Sequence, residues 1–212
     1  MKIGVLGTGS AGQTLAGKFV ERGHDVMMGA RSADNEKVVA FAQRTGARAG
    51  TFSDAAAFGE LVFNCTRGGT SLDTLSQLKS ELAGKTLVDI ANPLDFSQGF
   101  PPHLSVSNTD SLAEQIQRAL PDTFVVKSLN TVNAAVMVDP SRVPGRHTVF
   151  VSGNDKRAKG RVSDLLRALG WQSIIDLGDI TTARAAEQIL PLWVRLYGVL
   201  GTEEFNIAVM KR

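Results

Sequence analysis

The chain reaches a glycine-rich turn within its first ten residues, and that turn restricts the fold more than any other feature. "KIGVLG" is a short apolar run ending in glycine, the pattern of a strand buried on both faces of a parallel sheet. "GTGSAG" (residues 7–12) has the form GxGxxG, and "QTLAGKFVERG" behind it carries apolar residues at helical spacing, with Gly23 as its stop. Strand, glycine turn and helix in this order form the unit that holds a dinucleotide pyrophosphate. Gly7 permits the tight turn, Gly9 lets backbone approach the pyrophosphate, and Gly12 lets helix and strand pack closely. The helix N-terminus offers free N–H groups and a positive dipole end. An ordinary glycine-rich strand–helix turn is the competing reading, and this context weakens it.

The same alternation continues along the chain. "HDVMMG" reads as a second strand and "EKVVAFAQRTG" as a helix ending near Gly46. "ELVFNC" and "KTLVDIA" are further buried strands, separated by the helical "TSLDTLSQLKSELAG". "SLAEQIQRALP" precedes the strand "TFVVKSL"; "HTVFVSG", the helical "DKRAKGRVSDLLRALG" and "SIIDLG" follow. Strands alternating with helices predict an α/β fold, a doubly wound parallel sheet of Rossmann type over residues 1–178. From Asp179 onward the pattern becomes helical and is broken by Pro191, so 179–212 is expected to form a small C-terminal helical appendage.

Composition narrows the function classes. With 43% apolar and 21% charged residues, the 212-residue chain is that of a globular protein with a real core. Its net charge of +2, with no basic run, gives no argument for nucleic acid or an anionic membrane as partner. The single Cys65 leaves no internal disulfide, and His24, His103 and His147 are too far apart for a local metal motif. "ILPLWVRLYGVLG" is interrupted by Arg195 and is too short to span a bilayer. No secretory signal is expected at the N-terminus, and a soluble cytoplasmic protein is the expectation.

"MGARSADNEK" (residues 28–37) decides between the two nicotinamide dinucleotides. An acid at the end of the second strand would bond a ribose 2′-OH; here the strand runs into Arg31 and Ser32. A carboxylate would repel a 2′-phosphate, whereas Arg31 can fork onto it, Ser32 can donate to it, and Lys37 can add charge. NADP(H) is favoured over NAD(H).

Ligands of such sheets sit beyond the carboxyl ends of the strands. Those ends carry "TRGGT", with Thr66 and Arg67; "ANPLDFSQGFPP", with Asn92 and Pro93; and "NTVNA", with Asn130 and Ala134. Small and amide-bearing residues suit a flat, polar nicotinamide, although the same residues are ordinary turn formers. No Ser/His/Asp set or carboxylate pair stands out. His103 is a weak candidate for a proton donor, Cys65 reads as a small core residue and Lys127 as structural. Hydride transfer needs no acid or base from the protein, because the cofactor carries the chemistry.

Taken in order, "GTGSAGQTLAGKFVERGHDVMMGARS", "ANPLD", "NTDSLAEQIQRALPDTFVVKSLNTVNA", "VFVSGNDKRAKGRV" and "LPLWVRLYGVLGTEEFN" resemble the coenzyme F420-dependent NADP oxidoreductases. "VVKSLNTVNA" and "VFVSGNDKRAKGRV" are also similar to the cytosolic reductase domain of six-transmembrane metalloreductases. At Asn130 and Asn133, where the F420 enzymes more often carry His and Pro, the wording is that of the metalloreductases. The resemblance implies hydride transfer between NADP(H) and F420 or a flavin such as FAD or FMN. It places Thr8, Gly9, Ser10, Ala11 and Gly12 on the pyrophosphate, and Arg31, Ser32 and Lys37 on the 2′-phosphate. Thr66 and Arg67 would lie along the cofactor, Asn92 and Pro93 beside its ribose and nicotinamide, and Asn130 and Ala134 at the hydride-transfer cleft. The segment around Phe205 would cover the acceptor ring, and the C-terminal piece would join two subunits in a homodimer. Two other functions fit the phosphate loop: reduction of a small imine or carbonyl, and NADP(H) sensing without turnover.

Overall fold

The computed structural model describes all 212 residues. In chain order the elements are β1 (Lys2–Leu6), α1 (Ser10–Glu21), β2 (Asp25–Ala30), α2 (Glu36–Thr45), β3 (Arg48–Thr51), α3 (Phe52–Phe58) and β4 (Leu61–Asn64). Then come α4 (Gly68–Ser76), α5 (Lys79–Leu82), β5 (Thr86–Asp89), β6 (Leu94–Asp95), β7 (His103–Leu104), α6 (Leu112–Ala119), β8 (Phe124–Ser128) and α7 (Ala134–Val138). The chain ends through β9 (Thr148–Gly153), α8 (Lys156–Leu169), β10 (Ser173–Gly178), α9 (Ala183–Gln188) and α10 (Leu190–Leu200).

Eight strands form one sheet in the order β10-β9-β8-β5-β4-β1-β2-β3, while β6 and β7 make a separate antiparallel hairpin. From β3 to β8 every pairing is parallel. Strand order reverses between β1 and β4, the switch point at which doubly wound sheets open a crevice for ligands. Strands buried on both faces need apolar residues at consecutive positions, and the sequence supplies them. Val5 faces one core cluster and Leu6 the other; Phe63 and Val62, Val88 and Leu87, and Val126 and Val125 divide in the same way. The first cluster packs under α1, α2, α7 and α8, where Phe19 meets Phe63 with ring centroids 5.0 Å apart. The second packs under α3, α4, α5, α6 and α9.

The all-parallel expectation fails at one edge. β9 runs antiparallel to β8, and β10 is parallel to β9. A parallel return needs a crossover as long as the sheet, and α7, with five residues, rises only about 7.5 Å. The chain therefore re-enters the sheet from the end at which it left. Five elements are also absent from the periodicity reading: the hairpin strands β6 and β7, the short helix α7, the short edge strand β3, and α3, started by a capping box between Thr51 and Asp54. The segment read as one helix after β4 is two, α4 and α5.

The C-terminal piece is helical only through Leu200. The helical piece is interrupted at Ile189, between α9 and α10, and Pro191 occupies the first turn of α10, where a missing N–H leaves nothing unpaired. Residues 202–212 form no helix and run back to the start of β9. There Thr148 N–H donates to Ile207 O (2.9 Å) and the Asn206 amide donates to Thr148 O (3.0 Å).

Candidate active site

The phosphate loop has one locked face and one open face. Gly7 sits at φ 124°, which side chains rarely adopt, and its N–H donates to Gly29 O at the end of β2 (3.0 Å). A Cβ on Gly12 would fall 2.2 Å from Gly7 O, so only glycine permits this approach of helix and loop. Gly9 is exposed, and a Cβ there would meet nothing within 4 Å. The open side therefore lies over Gly9 and the first turn of α1. That helix begins with no side-chain cap and no acidic residue in its first turn. Of the helices that directly follow a strand of the large sheet, α2, α3, α7 and α8 are capped by Asn35, Thr51, Asn133 and Asp155. α1, α4 and α9 carry no side-chain cap, and α9 is preceded by a 3-10 turn that Asp179 caps. The free N–H groups and the cradle over Gly9 fit a pyrophosphate.

At the end of β2, Arg31, Ser32 and Lys37 are all exposed. Neither Arg31 nor Lys37 is engaged in an ion pair, which leaves both charges available to an anion. The Ser32 hydroxyl is already committed, donating to the Asp34 carboxylate. Arg31 is thus the primary candidate for phosphate recognition, and Ser32 must rotate away from Asp34 to take part.

A cavity of about 690 Å³ begins at Ser10 and Ala11 and continues across the carboxyl ends of β4, β5 and β8. Cys65, Thr66 and Arg67 form one side, Ile90, Ala91 and Asn92 the floor, and Asn130, Ala134 and Met137 the next strand end. Leu94 and Phe96 from the β6–β7 hairpin and Leu190 and Trp193 from α10 enclose it further. Its titratable lining consists of Cys65, Arg67 and Glu203. Burial, aided by the Asp89 charge, pushes the Cys65 thiol up from its ordinary value, which disfavours the thiolate.

Polar side chains beneath the cavity hold the strand ends together. Asn92 Nδ2 donates to Asn130 O (2.8 Å) and Asn130 Nδ2 donates to Asn92 Oδ1 (2.9 Å), a reciprocal clamp between the β5 and β8 ends. Asn130 also donates to Ala186 O on α9 (3.0 Å). Deeper, the Lys127 ammonium lies against Asp89 (2.8 Å) and Glu187 (2.9 Å), all three side chains being almost wholly buried. Burial opposes the charge on Lys127, but the two carboxylates outweigh it and hold the group above the ordinary lysine value.

The chain is similar to known proteins. The sequence model of the family described as "NADP oxidoreductase coenzyme F420-dependent" matches residues 2–93. The F420-dependent NADP reductase of Methanocaldococcus jannaschii is 32% identical over 207 residues, covering 92% of each chain. The chain belongs to the F420-dependent NADP reductase family. As a member of that family it is an NADP-dependent oxidoreductase. A crystal structure described as a putative F420-dependent NADP reductase from Arthrobacter sp. FB24 is 51% identical, with a TM-score of 0.95 over the whole of both chains. Rat metalloreductase STEAP3 is 30% identical over 196 residues, which are 91% of this chain but only 38% of that larger protein. No helix of this reductase is long and apolar enough to cross a membrane.

Set against the sequence reading, Ser10, Ala11, Thr66, Arg67, Asn92, Asn130 and Ala134 of the reductase converge on the one cavity. Thr8 and Gly9 sit in the loop beside it and Gly12 in the first turn of α1, while Arg31 and Ser32 just past β2 and Lys37 at the start of α2 lie outside it. Pro93 is buried behind the floor rather than lining it, its carbonyl accepting from Ser105 N–H (2.8 Å). Phe205 does not line the cavity either; it stacks behind Trp193 with centroids 5.1 Å apart, and Trp193 presents the aromatic surface. His103 is exposed on β7, away from the cavity. Sequence reasoning missed Phe96, Met137, Trp193 and Glu203. Only Trp193 carried a signal, an aromatic residue in an apolar stretch, and core or dimer packing explained that stretch as well.

Proposed function

We propose that this reductase transfers hydride directly between NADP(H) and a deazaflavin of the F420 type or a flavin. One observation carries the reading: the large, mostly apolar cavity starts at the phosphate-binding turn and extends past the strand ends, leaving room beside a nicotinamide for a second flat ring. When bound, the nicotinamide supplies the hydride chemistry, and the acceptor takes up the hydride with a proton from water. The protein then binds, orients and excludes water.

In this reading the backbone N–H groups over Thr8, Gly9, Ser10, Ala11 and Gly12 hold the pyrophosphate. Arg31, with Lys37 and a rotated Ser32, holds the 2′-phosphate. Thr66, Arg67 and Asn92 follow the cofactor toward the cavity, with Pro93 supporting the floor. Asn130 and Ala134 border the transfer site, Asn130 through its backbone and its clamp on Asn92 rather than through a free amide. Leu190, Trp193 and Phe96 supply apolar and aromatic surface to the acceptor.

The absence of a buried general acid from the cavity favours a ring acceptor over a small imine or carbonyl. Reduction of C=N or C=O leaves a basic nitrogen or oxygen to protonate, and the lining offers only a raised Cys65 thiol, Arg67 and the exposed Glu203. A sensor that never turns over has no use for the space beyond the dinucleotide. Leu192, Tyr197, Val199 and Leu200 expose one apolar surface of α10, which supports pairing of two copies through the C-terminal piece. Deuterium at C4 of NADPH tests the chemistry. With F420 as acceptor, direct transfer delivers the label to the ring carbon, and label appearing in water instead rejects direct transfer. A flavin would take the label at nitrogen and exchange it with water, so the flavin case is read from loss of label at C4 of NADPH that keeps pace with flavin reduction.

A further inference from the structure

Behind the cavity lies a group of buried charges that hydride transfer does not itself require. The Lys127 ammonium donates to Asp89 Oδ2 (2.8 Å) and to Ala91 O and pairs with Glu187 Oε1 (2.9 Å). Two carboxylates against one ammonium cost several kcal/mol per ion to desolvate, and apolar residues of similar volume commonly stabilise a core as well or better. Stability therefore gives little reason for this group, but the places where its bonds end give a better one.

One arm reaches the floor. Asp89 Oδ1 accepts from Ala91 N–H (3.2 Å) and from Asn64 Nδ2 (2.7 Å). Asn64 Oδ1 in turn accepts from both the hydroxyl (2.6 Å) and the N–H (3.2 Å) of Thr66. Ala91 and Thr66 both line the cavity. The other arm reaches the opposite wall. Glu187, on α9, also accepts from Leu112 N–H (2.9 Å) and Ala113 N–H (3.1 Å) at the start of α6, which fixes that helix pair. Through Ile189, helical in its backbone, α9 runs on into α10, which carries Leu190 and Trp193. Lys127 is where the two arms meet, and an ammonium with three donors can tie oxygens on three segments at once.

We propose that Lys127 is a positioning residue for hydride transfer, fixing the spacing between the floor at Thr66 and Ala91 and the wall at Leu190 and Trp193. The identity of the ligands between them rests on the function proposed above. Transfer depends steeply on that spacing, since a misplacement of about 1 Å can cost about 100-fold in rate.

The test is a neutral variant of similar volume, Lys127→Met with Asp89→Asn and Glu187→Gln. Three quantities are followed: the melting temperature, NADPH affinity by fluorescence titration, and energy transfer from tryptophan to bound NADPH at saturation. A Trp193→Phe background separates Trp193 from Trp171. The expected result is a folded variant that binds NADPH within about threefold of the parent, with altered Trp193 energy transfer and kcat lowered by about 30-fold or more. Lys127→Arg, which keeps the charge, should fall between the two. Energy transfer and kcat both within about twofold of the parent, in a folded variant, would overturn the proposal. Should the triple variant fail to fold, Glu187→Gln alone is judged by the same criteria. Energy transfer needs NADPH only, so it decides the positioning role even if no acceptor turns over and the proposed function fails.

Discussion

A single methyl group separates what two glycines of the phosphate loop do. On Gly12 it would overlap Gly7 O, so Gly12→Ala should cost about 1–3 kcal/mol through overpacking and lower the melting temperature by several degrees. On Gly9 it would touch nothing in the protein, so Gly9→Ala should melt with the parent yet bind NADPH about tenfold or more weakly. Paired melting curves and NADPH titrations check both; equal effects of the two changes would contradict the assignment of the open face. Arg31 is exposed and free of ion pairs. A charge-assisted bond contributes about 1.5–3 kcal/mol, so Arg31→Ala should weaken NADPH by about 10–100-fold and leave NADH little changed, measured by calorimetry. The loop and the cation were legible in the sequence because their geometry is local. Trp193 and Glu203 were not, since they reach the cavity only after the C-terminal piece folds over it, and Phe96, although in the segment after Asn92, carried no pattern to say which way the hairpin turns it. The commitment of Ser32 to Asp34 was equally invisible, because a hydroxyl's partner depends on the turn it sits in.

At the scale of elements, alternation of apolar runs with helical spacing was enough for five of the six mutually parallel strands, all but β3. Alternation does not encode direction, and β9 and β10 show it. Their reversal follows from the shortness of α7, which periodicity could not measure. β3 was missed because "RAGT" has neither length nor alternation, and it exists by pairing with β2. In the C-terminal piece Pro191 marks the break that the sequence suggested, between α9 and α10, and also starts the second helix. On the exposed surface of α10, Val199 is 83% accessible, far more than a lone apolar residue needs to be. If two copies pair there, Val199→Asp with Leu200→Asp should convert a dimer into a monomer in sedimentation velocity without lowering the helical signal. An unchanged mass would place any association elsewhere.

For the whole molecule, ion pairs on and beside α6, one of them reaching Arg184 on α9, contribute to the response to acid. Hydrogen bonds from Arg118 hold the Asp110 carboxyl down to about 2. Burial pushes Glu114 up, but Arg184 on α9 and Ser111 outweigh it and hold Glu114 below its ordinary value. Both groups bind protons more readily in the unfolded chain, so the stability they add is complete above the unfolded values of 3.8 and 4.5. That stability is lost as pH falls through the lower folded values. Arg184→Ala should therefore raise the pH midpoint of acid unfolding, followed by circular dichroism; an unmoved midpoint would remove Glu114 from this account. Lys127 acts in the opposite sense: its contribution is complete below 10.5 and is lost only as pH rises through its raised value. The central claim concerns neither limit but the cavity between sheet and C-terminal helices. Its most direct test is anaerobic oxidation of NADPH by the purified protein, offered F420, FAD, FMN or no acceptor in turn, with NADH as control. Fast turnover is expected with NADPH and one of these ring acceptors, and little with NADH. Tight NADPH binding without turnover on any of them would contradict the claim.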